Sequence, residues 1–318
     1  MTPAIVIVNY RTGPLVADCL ASLAEHATGT PARTIVVDNE SPDGSAGELE
    51  RVIVDRGWDG WARVVHAGVN GGFASGNNVG IRAAIADCPE LDCVLLLNPD
   101  TVVRAGAVDG LVSFMNNNPR VGIAGSRLED PDTTPQRSAF RFPGVAGEFE
   151  SAARLGIFTR LLRSSVIALP VRDEPHRADW VAGASMMIRR EVLEQIGLLD
   201  DSYFMYYEEV ELCRRAARAG WFCWYVPESR VVHLVGRASG VVHGEAARRP
   251  RYWFESRRRY FTTEHGRIIA ALADGAWLVG VPLHRIASRL KRRPPGDPAN
   301  FLRDLLAFGA LNPRGRHG

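Results

Sequence analysis

Short runs of Val, Ile and Leu alternate along the first third of the chain with longer segments whose apolar positions recur every three or four residues. The apolar runs occupy 4–10, 33–38, 62–66 and 92–97. The helical patterns between them lie at about 14–26, 44–56 and 77–87. Strands buried on both faces are continuously apolar, and alternation of strand and helix is typical of βαβ units. We therefore expect an α/β fold with a Rossmann-like, mostly parallel sheet flanked by helices.

The pattern changes after residue 125, where a proline-rich connection begins. Six elements are predicted beyond it: a helical stretch at 149–162, a strand running into a helix at 179–190, a helix at 208–220 and two short strands around Pro227 at 221–234. Gly220 is expected to end the helix that precedes it, because glycine readily adopts the left-handed conformation found there.

Charge is distributed unevenly along the chain. The formal net charge is +2, but residues 241–318 hold 15 Lys and Arg against 6 Asp and Glu, a balance of +9, and the rest of the chain carries −7. Within this basic tail, residues 268–283 are apolar but short, and Asp274 and two glycines interrupt them. A membrane span is therefore not expected. Two alternatives stay open: an amphipathic helix at a membrane interface, or a helical cap on the domain with a solvated basic face.

Composition indicates an ordinary globular protein, with 46% hydrophobic and 23% charged residues. The five cysteines are odd in number, include no C-x-x-C pair and lie mostly in apolar contexts. We interpret them as reduced core residues rather than as metal ligands or disulfides. No basic leader precedes the first apolar run, so a cytoplasmic protein is expected.

Polar side chains follow three of the predicted strands: Asn9 and Tyr10, then Asp38, then Asn98 and Asp100. In parallel sheets, ligands bind at the carboxyl ends of the strands. An unpaired carboxylate is costly to bury, by several kcal/mol or more, so Asp100 should be solvated, should cap a turn, or should hold a cation. An Asx-type turn after the preceding proline is the alternative without a ligand.

A glycine-rich segment, Asn70, Gly71, Gly72 and Phe73, opens the third predicted helix. Backbone amides at such a helix start can bind anionic oxygens. The segment follows the third strand and lacks the G-x-G-x-x-G spacing, so it is not the dinucleotide fingerprint. A plain turn is the alternative interpretation.

Glu208, Glu209 and Glu211 lie in the first turn of a predicted helix, after the aromatic run 203–207. Acidic residues there complement the helix dipole, and Glu211 can pair with Arg215 at i+4. The side chains of Glu208 and Glu209 point about 100° apart, so at least one of them faces elsewhere. A partly desolvated carboxylate among aromatic rings could act as a general base.

His233 ends the last predicted strand. A lone histidine in this position more often has a structural role. It becomes a candidate metal ligand only where the fold brings it beside Asp100.

Seven segments, taken in order, resemble the family 2 glycosyltransferases over residues 3–240: IVIVNYR, VVDNESPDGS, NGGFASGNN, LLLNPDTVV, WVAGASMMIRR, YFMYYEEVELCRRAARAGW and VVHLVGRAS. Within that family the chain is most similar to bacterial rhamnosyltransferase-type members, whose metal motif reads Asn-Pro-Asp. The resemblance implies an inverting enzyme with the GT-A fold. It implies a catalytic domain at 1–240, with a nucleotide-binding half at 1–125 and an acceptor-binding half at 126–240, and a helical basic extension at 241–318.

The resemblance also implies roles for the donor-side residues. Asp100 would bind a divalent cation, Mg²⁺ or Mn²⁺, that bridges the two phosphates of a nucleotide sugar, and His233 would complete that site. Asp38 would hydrogen-bond the nucleobase. The other positions expected to bind the nucleotide sugar are Asn9, Tyr10, Asn70, Gly71, Gly72, Phe73 and Asn98.

On the acceptor side, Glu209 matches the family's catalytic acid, and we expect it to deprotonate the acceptor hydroxyl. The usual residue there is Asp. Because Glu is longer by one methylene, Glu208 stays open as the alternative base. Trp180, Gly183 and Ala184 match the segment that shapes the sugar and acceptor pocket, with Trp180 suited to stack on a sugar face.

The expected reaction is transfer of L-rhamnose from dTDP-rhamnose to a glycan or a polyprenyl-diphosphate-linked acceptor in cell-envelope or polysaccharide synthesis, on the inner face of an anionic membrane. The alternatives are a UDP-sugar-dependent glycosyltransferase, a nucleotidyltransferase and a non-catalytic nucleotide-sugar-binding scaffold. Arginines and aromatics interleave at 246–261, but no nucleic-acid-binding motif accompanies them, and no nucleic-acid partner is expected. A homo-oligomer stays open.

Overall fold

The computed structural model describes residues 1–26, 31–234, 248–294 and 296–311. Contacts divide the chain into two compact units. The first contains the described residues of Met1–Phe140, Pro170–Phe204 and Glu208–Val241, and the second those of Arg141–Leu169, Met205–Tyr207 and Val242–Gly318. The expected boundary at residue 240 lies outside the described residues.

The secondary structure confirms the predicted alternation of strands and helices. The strands are β1 (Pro3–Asn9), β2 (Arg33–Asp38), β3 (Ala62–His66), β4 (Cys93–Leu97), β5 (Thr101–Val103), β6 (Val121–Glu129), β7 (Ala139–Phe140), β8 (His176–Ala178), β9 (Trp180–Val181), β10 (Ser185–Arg189) and β11 (Phe222–His233). The helices are α1 (Gly13–His26), α2 (Ser45–Asp55), α3 (Gly72–Asp87), α4 (Ala107–Asn117), α5 (Val145–Ala153), α6 (Gly156–Leu161), α7 (Arg190–Ile196), α8 (Glu208–Arg218), α9 (Arg251–Leu290) and α10 (Phe301–Phe308).

The first unit is built on one mixed sheet in the order β3-β2-β1-β4-β10-β6-β11-β5, with β8 also paired to β11. The first four strands in this order are mutually parallel, and β6 is parallel to β11. By contrast, β10 runs antiparallel to both of its neighbours. The central strand β4 is buried along its whole length, which explains its continuous apolar sequence.

The predicted elements of two regions are wrong in detail. Residues 222–233 form one strand, β11, rather than two, and the register shift between Val226 and Arg230 accommodates Pro227, which has no N–H for the ladder. The single helix expected at 149–162 is two helices, α5 and α6. Arg154 separates them because its backbone is left-handed, with φ of 48°.

The second unit contains α5, α6, α9 and α10. Its helix α9 changes direction at Gly266, where φ is 80° and ψ is 167°. The apolar core of this unit contains Ala152, Trp253, Phe254, Trp277, Val281, Phe301 and Leu305. Arg257 is 1% exposed, and its guanidinium pairs with the buried carboxylates of Glu148 and Asp274, so a buried ion network joins α5 to both halves of α9.

Arg257→Met is expected to lower the free energy of unfolding by about 3–5 kcal/mol, because two buried carboxylates lose their cation. Urea denaturation of the full chain measures this. The matched control is Arg251→Met on the same helix, whose ion pair with Glu255 is exposed and should contribute less than about 1 kcal/mol. Equal losses in the two variants would contradict the importance of the buried network.

Candidate active site

The predicted nucleotide-side residues lie at the carboxyl edge of the sheet in the first unit. Asn9 and Asp38 are paired in register on neighbouring parallel strands, and Ile7 of β1 is opposite Leu97 of β4. The connection after β4, which carries Asn98 and Asp100, therefore leaves the sheet at the same edge as the other two strand ends.

Asp38 is held by hydrogen bonds to both of its carboxylate oxygens. Asn9 Nδ2 donates to Asp38 Oδ1 at 2.8 Å, and the backbone amide of Ser41 donates to Oδ2 at 3.0 Å. Asn9 Nδ2 also lies 2.9 Å from Ser45 Oγ. Asn9 and Asp38 are buried, whereas Tyr10 is 40% exposed. The carboxylate is thus fixed in orientation at the end of its strand.

The glycine-rich segment forms the start of α3, which begins at Gly72, five residues earlier than expected. Asn70 Oδ1 accepts a hydrogen bond from the Gly72 amide at 3.1 Å. Gly72 has φ of +83°, and a Cβ there would lie 2.0 Å from the carbonyl oxygen of Phe204. The Phe73 amide donates to that same oxygen at 2.7 Å. Only glycine fits at position 72, where the segment contacts the aromatic run before α8.

Asp100 and His233 are neighbours in the structure. The sequence makes His233 a candidate metal ligand only if the fold brings it beside Asp100. His233 is opposite Thr101 in the antiparallel pair of β11 and β5, and the Leu234 amide donates to the Asp100 carbonyl at 2.9 Å. The imidazole Nε2 lies 3.5 Å from Asp100 Oδ1, and the Asp100 side chain is only 2% exposed.

The donor set at this position suits a cation that takes most of its ligands from substrate. Across the described ranges, no group of three or more His, Cys, Asp and Glu side chains could hold a metal ion. One carboxylate and one imidazole leave room for phosphate oxygens, which Mg²⁺ and Mn²⁺ favour. The nearby Asn98 Oδ1 is buried and accepts no hydrogen bond from the described residues. The residues present therefore fit a divalent ion bound together with a diphosphate.

Glu209 lies close to the glycine-rich segment and to Gly183. A Cβ built on Gly183 would be 3.5 Å from the Phe73 ring and 3.8 Å from Glu209 Cβ. The half-buried Glu209 therefore lies near both the Phe73 ring and the loop before β10.

Glu208 is different from its neighbour. Its side chain is buried, and its Oε2 accepts no hydrogen bond from any described residue. Desolvation raises the pKa of Glu208 well above its ordinary value, and repulsion by the Glu209 carboxylate raises this pKa further. Glu211 makes the predicted pair with Arg215, at 2.5 and 2.8 Å. Of the three acids, Glu209 is the one whose Cβ lies near Gly183.

Comparison with known proteins identifies the family. The family model described as glycosyl transferase family 2 matches residues 4–197. The chain belongs to this family. The glycosyltransferase is 32% identical over 244 residues to the N-acetylglucosaminyl-diphospho-decaprenol L-rhamnosyltransferase of Mycobacterium tuberculosis, covering 74% of this chain and 77% of the relative.

Solved structures show that this glycosyltransferase has the GT-A fold. GalNAc-T7, solved with UDP, GalNAc and Mn²⁺, aligns with a TM-score of 0.58 at 17% identity, over 97% of this chain and 54% of that one. The mannosyltransferase PcManGT of Pyrobaculum calidifontis, solved with GDP-Man and Mn²⁺, aligns with a TM-score of 0.56 at 15% identity, over 99% and 86%. At these identities the likeness establishes the fold alone.

The residues predicted to shape the sugar and acceptor pocket lie in β9 and the loop after it. Trp180 is half-buried and stacks on Phe140, with ring centroids 4.1 Å apart and an interplanar angle of 14°. Ala184 contributes its backbone, because its carbonyl accepts from the Asn98 amide at 2.9 Å. This bond connects the loop before β10 to the Asn-Pro-Asp motif.

Three residues that hydrogen-bond to the predicted nucleotide-side residues were not predicted from the sequence. Ser41 and Ser45 fix Asn9 and Asp38, and the serine-rich turn after β2 was the available signal. The Phe204 carbonyl receives the Phe73 amide, a contact that no local pattern indicates.

Glu208→Gln is expected to stabilise the enzyme at neutral and alkaline pH. Between the ordinary value of 4.5 and the raised pKa, the folded protein keeps a proton that the unfolded chain has lost. The contribution of Glu208 to stability therefore falls by about 1.4 kcal/mol per pH unit as the pH rises through that window. Urea denaturation across pH should show a flatter profile for the variant. The control Glu191→Gln, at an exposed position, should leave the pH dependence of the unfolding free energy unchanged. If Glu208→Gln showed the same pH dependence as the wild type, the raised pKa of Glu208 would be contradicted.

Proposed function

We propose that this glycosyltransferase transfers L-rhamnose from dTDP-rhamnose, with inversion, to a sugar hydroxyl on a polyprenyl-diphosphate-linked acceptor. One observation supports this reaction class above all: His233 lies beside Asp100, at the same edge of the sheet as Asp38. The sugar and the acceptor follow the mycobacterial relative, whose name specifies a lipid-diphosphate acceptor and L-rhamnose. Such an acceptor would bring the enzyme to the cytoplasmic face of the membrane.

Donor binding is assigned to the strand ends. Asp38, oriented by Asn9, would accept hydrogen bonds from the nucleobase, with Tyr10 against it. The helix start at Gly71 and Gly72 would face the diphosphate with its backbone amides. Asp100 and His233 would hold Mg²⁺ or Mn²⁺, and such an ion neutralises the diphosphate leaving group when bound. The presence of Mn²⁺ in two structures of the same fold supports this assignment.

Glu209 is proposed as the general base. As the acceptor oxygen forms its bond to the anomeric carbon, the carboxylate takes the hydroxyl proton, and the bond from that carbon to the diphosphate oxygen breaks on the opposite face. The configuration at the anomeric carbon is inverted. Desolvation raises the pKa of Glu208 and favours its neutral form, which supports Glu209 over Glu208 as the proton acceptor.

A donor panel tests the proposal. The full chain is incubated with dTDP-rhamnose, a UDP-hexose or GDP-mannose, with an N-acetylglucosaminyl-diphospho-lipid acceptor and Mn²⁺, and the products are analysed by NMR. We expect dTDP-rhamnose to be used at least about tenfold more efficiently and the product to have the opposite anomeric configuration. A preference for a UDP-sugar, or retained configuration, would contradict it. Binding of dTDP-rhamnose without turnover would favour a scaffold.

A further inference from the structure

The part of α9 that follows Gly266 exposes a row of large apolar side chains. Its members are Ile268 (77% exposed), Leu272 (52%), Val279 (56%), Leu283 (36%), Ile286 (56%) and Leu290 (82%). At 100° per residue these positions fall within an arc of about 60°, so they form one continuous line along the helix. We name this set of six side chains the apolar stripe.

The opposite side of the same helix already has its partner inside the second unit. Ala273, Trp277 and Val281 are buried there. A Cβ on Gly280 would lie 2.6 Å from Ala152 Cβ, so α9 packs closely on α5. An amphipathic helix normally has one apolar face, and its other face is polar. This helix has two apolar faces, and the core uses only one of them.

Charge beside the stripe has one sign. Residues 267–293 contain six Lys and Arg and a single acid, Asp274, which is buried and paired with Arg257. Four of the six cations, at positions 289 and 291–293, are exposed around the C-terminal end of the stripe. The range therefore presents apolar side chains and cations to solvent, with no exposed acid among them.

We propose that the apolar stripe and the four cations beside it form a docking surface for an anionic lipid bilayer, with α9 lying in the plane of the headgroups. The apolar side chains would enter the headgroup–acyl boundary while the cations meet lipid phosphates. Charge complementarity favours this occupant over a second copy of the chain, because a second copy would bring the same cations and no exposed acid from this segment.

The surroundings of α9 favour a helix that lies in the plane over one that spans the bilayer. By length and composition α9 could cross a membrane, and 39% of its most apolar 18-residue window is buried inside the protein. Crossing would carry Asp274 into hydrocarbon and remove Gly280 from Ala152. A helix that lies in the plane of the membrane keeps the Asp274–Arg257 ion pair and the packing of Gly280 on Ala152. The inference goes beyond the proposed reaction and does not depend on the donor.

Vesicle flotation of the full chain tests the surface without any turnover. The stripe variant is Ile268→Gln/Leu272→Gln/Ile286→Gln/Leu290→Gln, and the matched control is Val54→Gln, an apolar residue of α2 that is 65% exposed. The wild type should float with phosphatidylcholine vesicles that contain phosphatidylglycerol. The stripe variant should partition about a hundredfold less, and the control should match the wild type.

The charge arm uses Arg289→Gln/Lys291→Gln/Arg292→Gln/Arg293→Gln. On anionic vesicles this variant should bind at least about tenfold more weakly, and added salt should weaken the wild type in the same way. Circular dichroism and transfer to a water-soluble acceptor show that each variant is folded and active. If the wild type itself showed no transfer to the water-soluble acceptor, that result would count against the proposed function and would leave the docking proposal unaffected.

Three outcomes would overturn the docking proposal. In the first, the stripe variant floats as well as the wild type, or the wild type does not float with anionic vesicles. In the second, sedimentation without lipid shows a wild-type dimer that the stripe variant loses, which would assign the stripe to a second copy. In the third, the protein leaves native membranes only with detergent and resists high salt and alkali, which would indicate a span.

Discussion

Glu209→Gln is expected to lower kcat for sugar transfer by about a thousandfold and to leave the Kd for the donor within about threefold of the wild type. The amide keeps the size of the side chain but cannot accept the acceptor proton. Isothermal titration measures donor binding, and a discontinuous transfer assay measures kcat. The acidic limb of the pH–rate profile should also disappear with the base.

The adjacent isosteric variant Glu208→Gln is the matched control. Burial raises the pKa of Glu208 and favours its neutral form, so replacing it with a neutral amide should leave kcat within about tenfold of the wild type. The two variants make the same isosteric replacement at adjacent positions. If Glu208→Gln were the inactive one, the base would be assigned to the wrong carboxylate.

Asp100→Asn is expected to lower kcat/KM by about a thousandfold and to remove the dependence of donor binding on Mn²⁺. An amide is a poorer ligand for a hard cation than a carboxylate, and the neighbouring His233 alone leaves the diphosphate without its bridge. Donor affinity measured with Mn²⁺ should fall to the value that the wild type shows with a chelator.

Asp109→Asn is the control for Asp100→Asn, because Asp109 lies exposed on α4 and carries the same chemical change away from the sheet edge. It should retain full metal dependence. Undiminished metal dependence in Asp100→Asn itself would rule out the metal assignment and leave the Asx-type turn as the role of Asp100.

The sequence predicts the nucleotide-side strands well because each follows a local rule. The strands at 33–38 and 62–66 have the predicted bounds, and the first of them begins and ends at the charged residues Arg33 and Asp38. The insertion of β10 as an antiparallel strand between β4 and β6 could not be predicted in this way, because strand neighbours distant in sequence leave no periodic trace. The continuation of β11 past Pro227 could not be predicted for a related reason, because the register shift that accommodates the proline depends on pairing with β6.

In the candidate site, too, some features follow from local motifs and others depend on contacts between distant segments. Asp38, Asp100 and the acidic pair before α8 could be identified from ordered motifs. By contrast, the position of His233 beside Asp100 depends on the pairing of β11 with β5. The difference between Glu208 and Glu209 depends on which carboxylate the fold desolvates, and adjacent helix positions do not specify this.

The pairing of β5 with β11 also determines when the Asp100–His233 pair can form during synthesis. Within the described residues, β5 has only β11 as a strand partner, and β11 is the last strand of the sheet in the chain. On the ribosome, β1 to β4 can associate soon after they emerge, whereas the Asp100–His233 pair must wait until His233 has left the exit tunnel. A nascent chain halted before β11 would hold an open strand edge and no Asp100–His233 pair, so chaperone demand should peak late in translation.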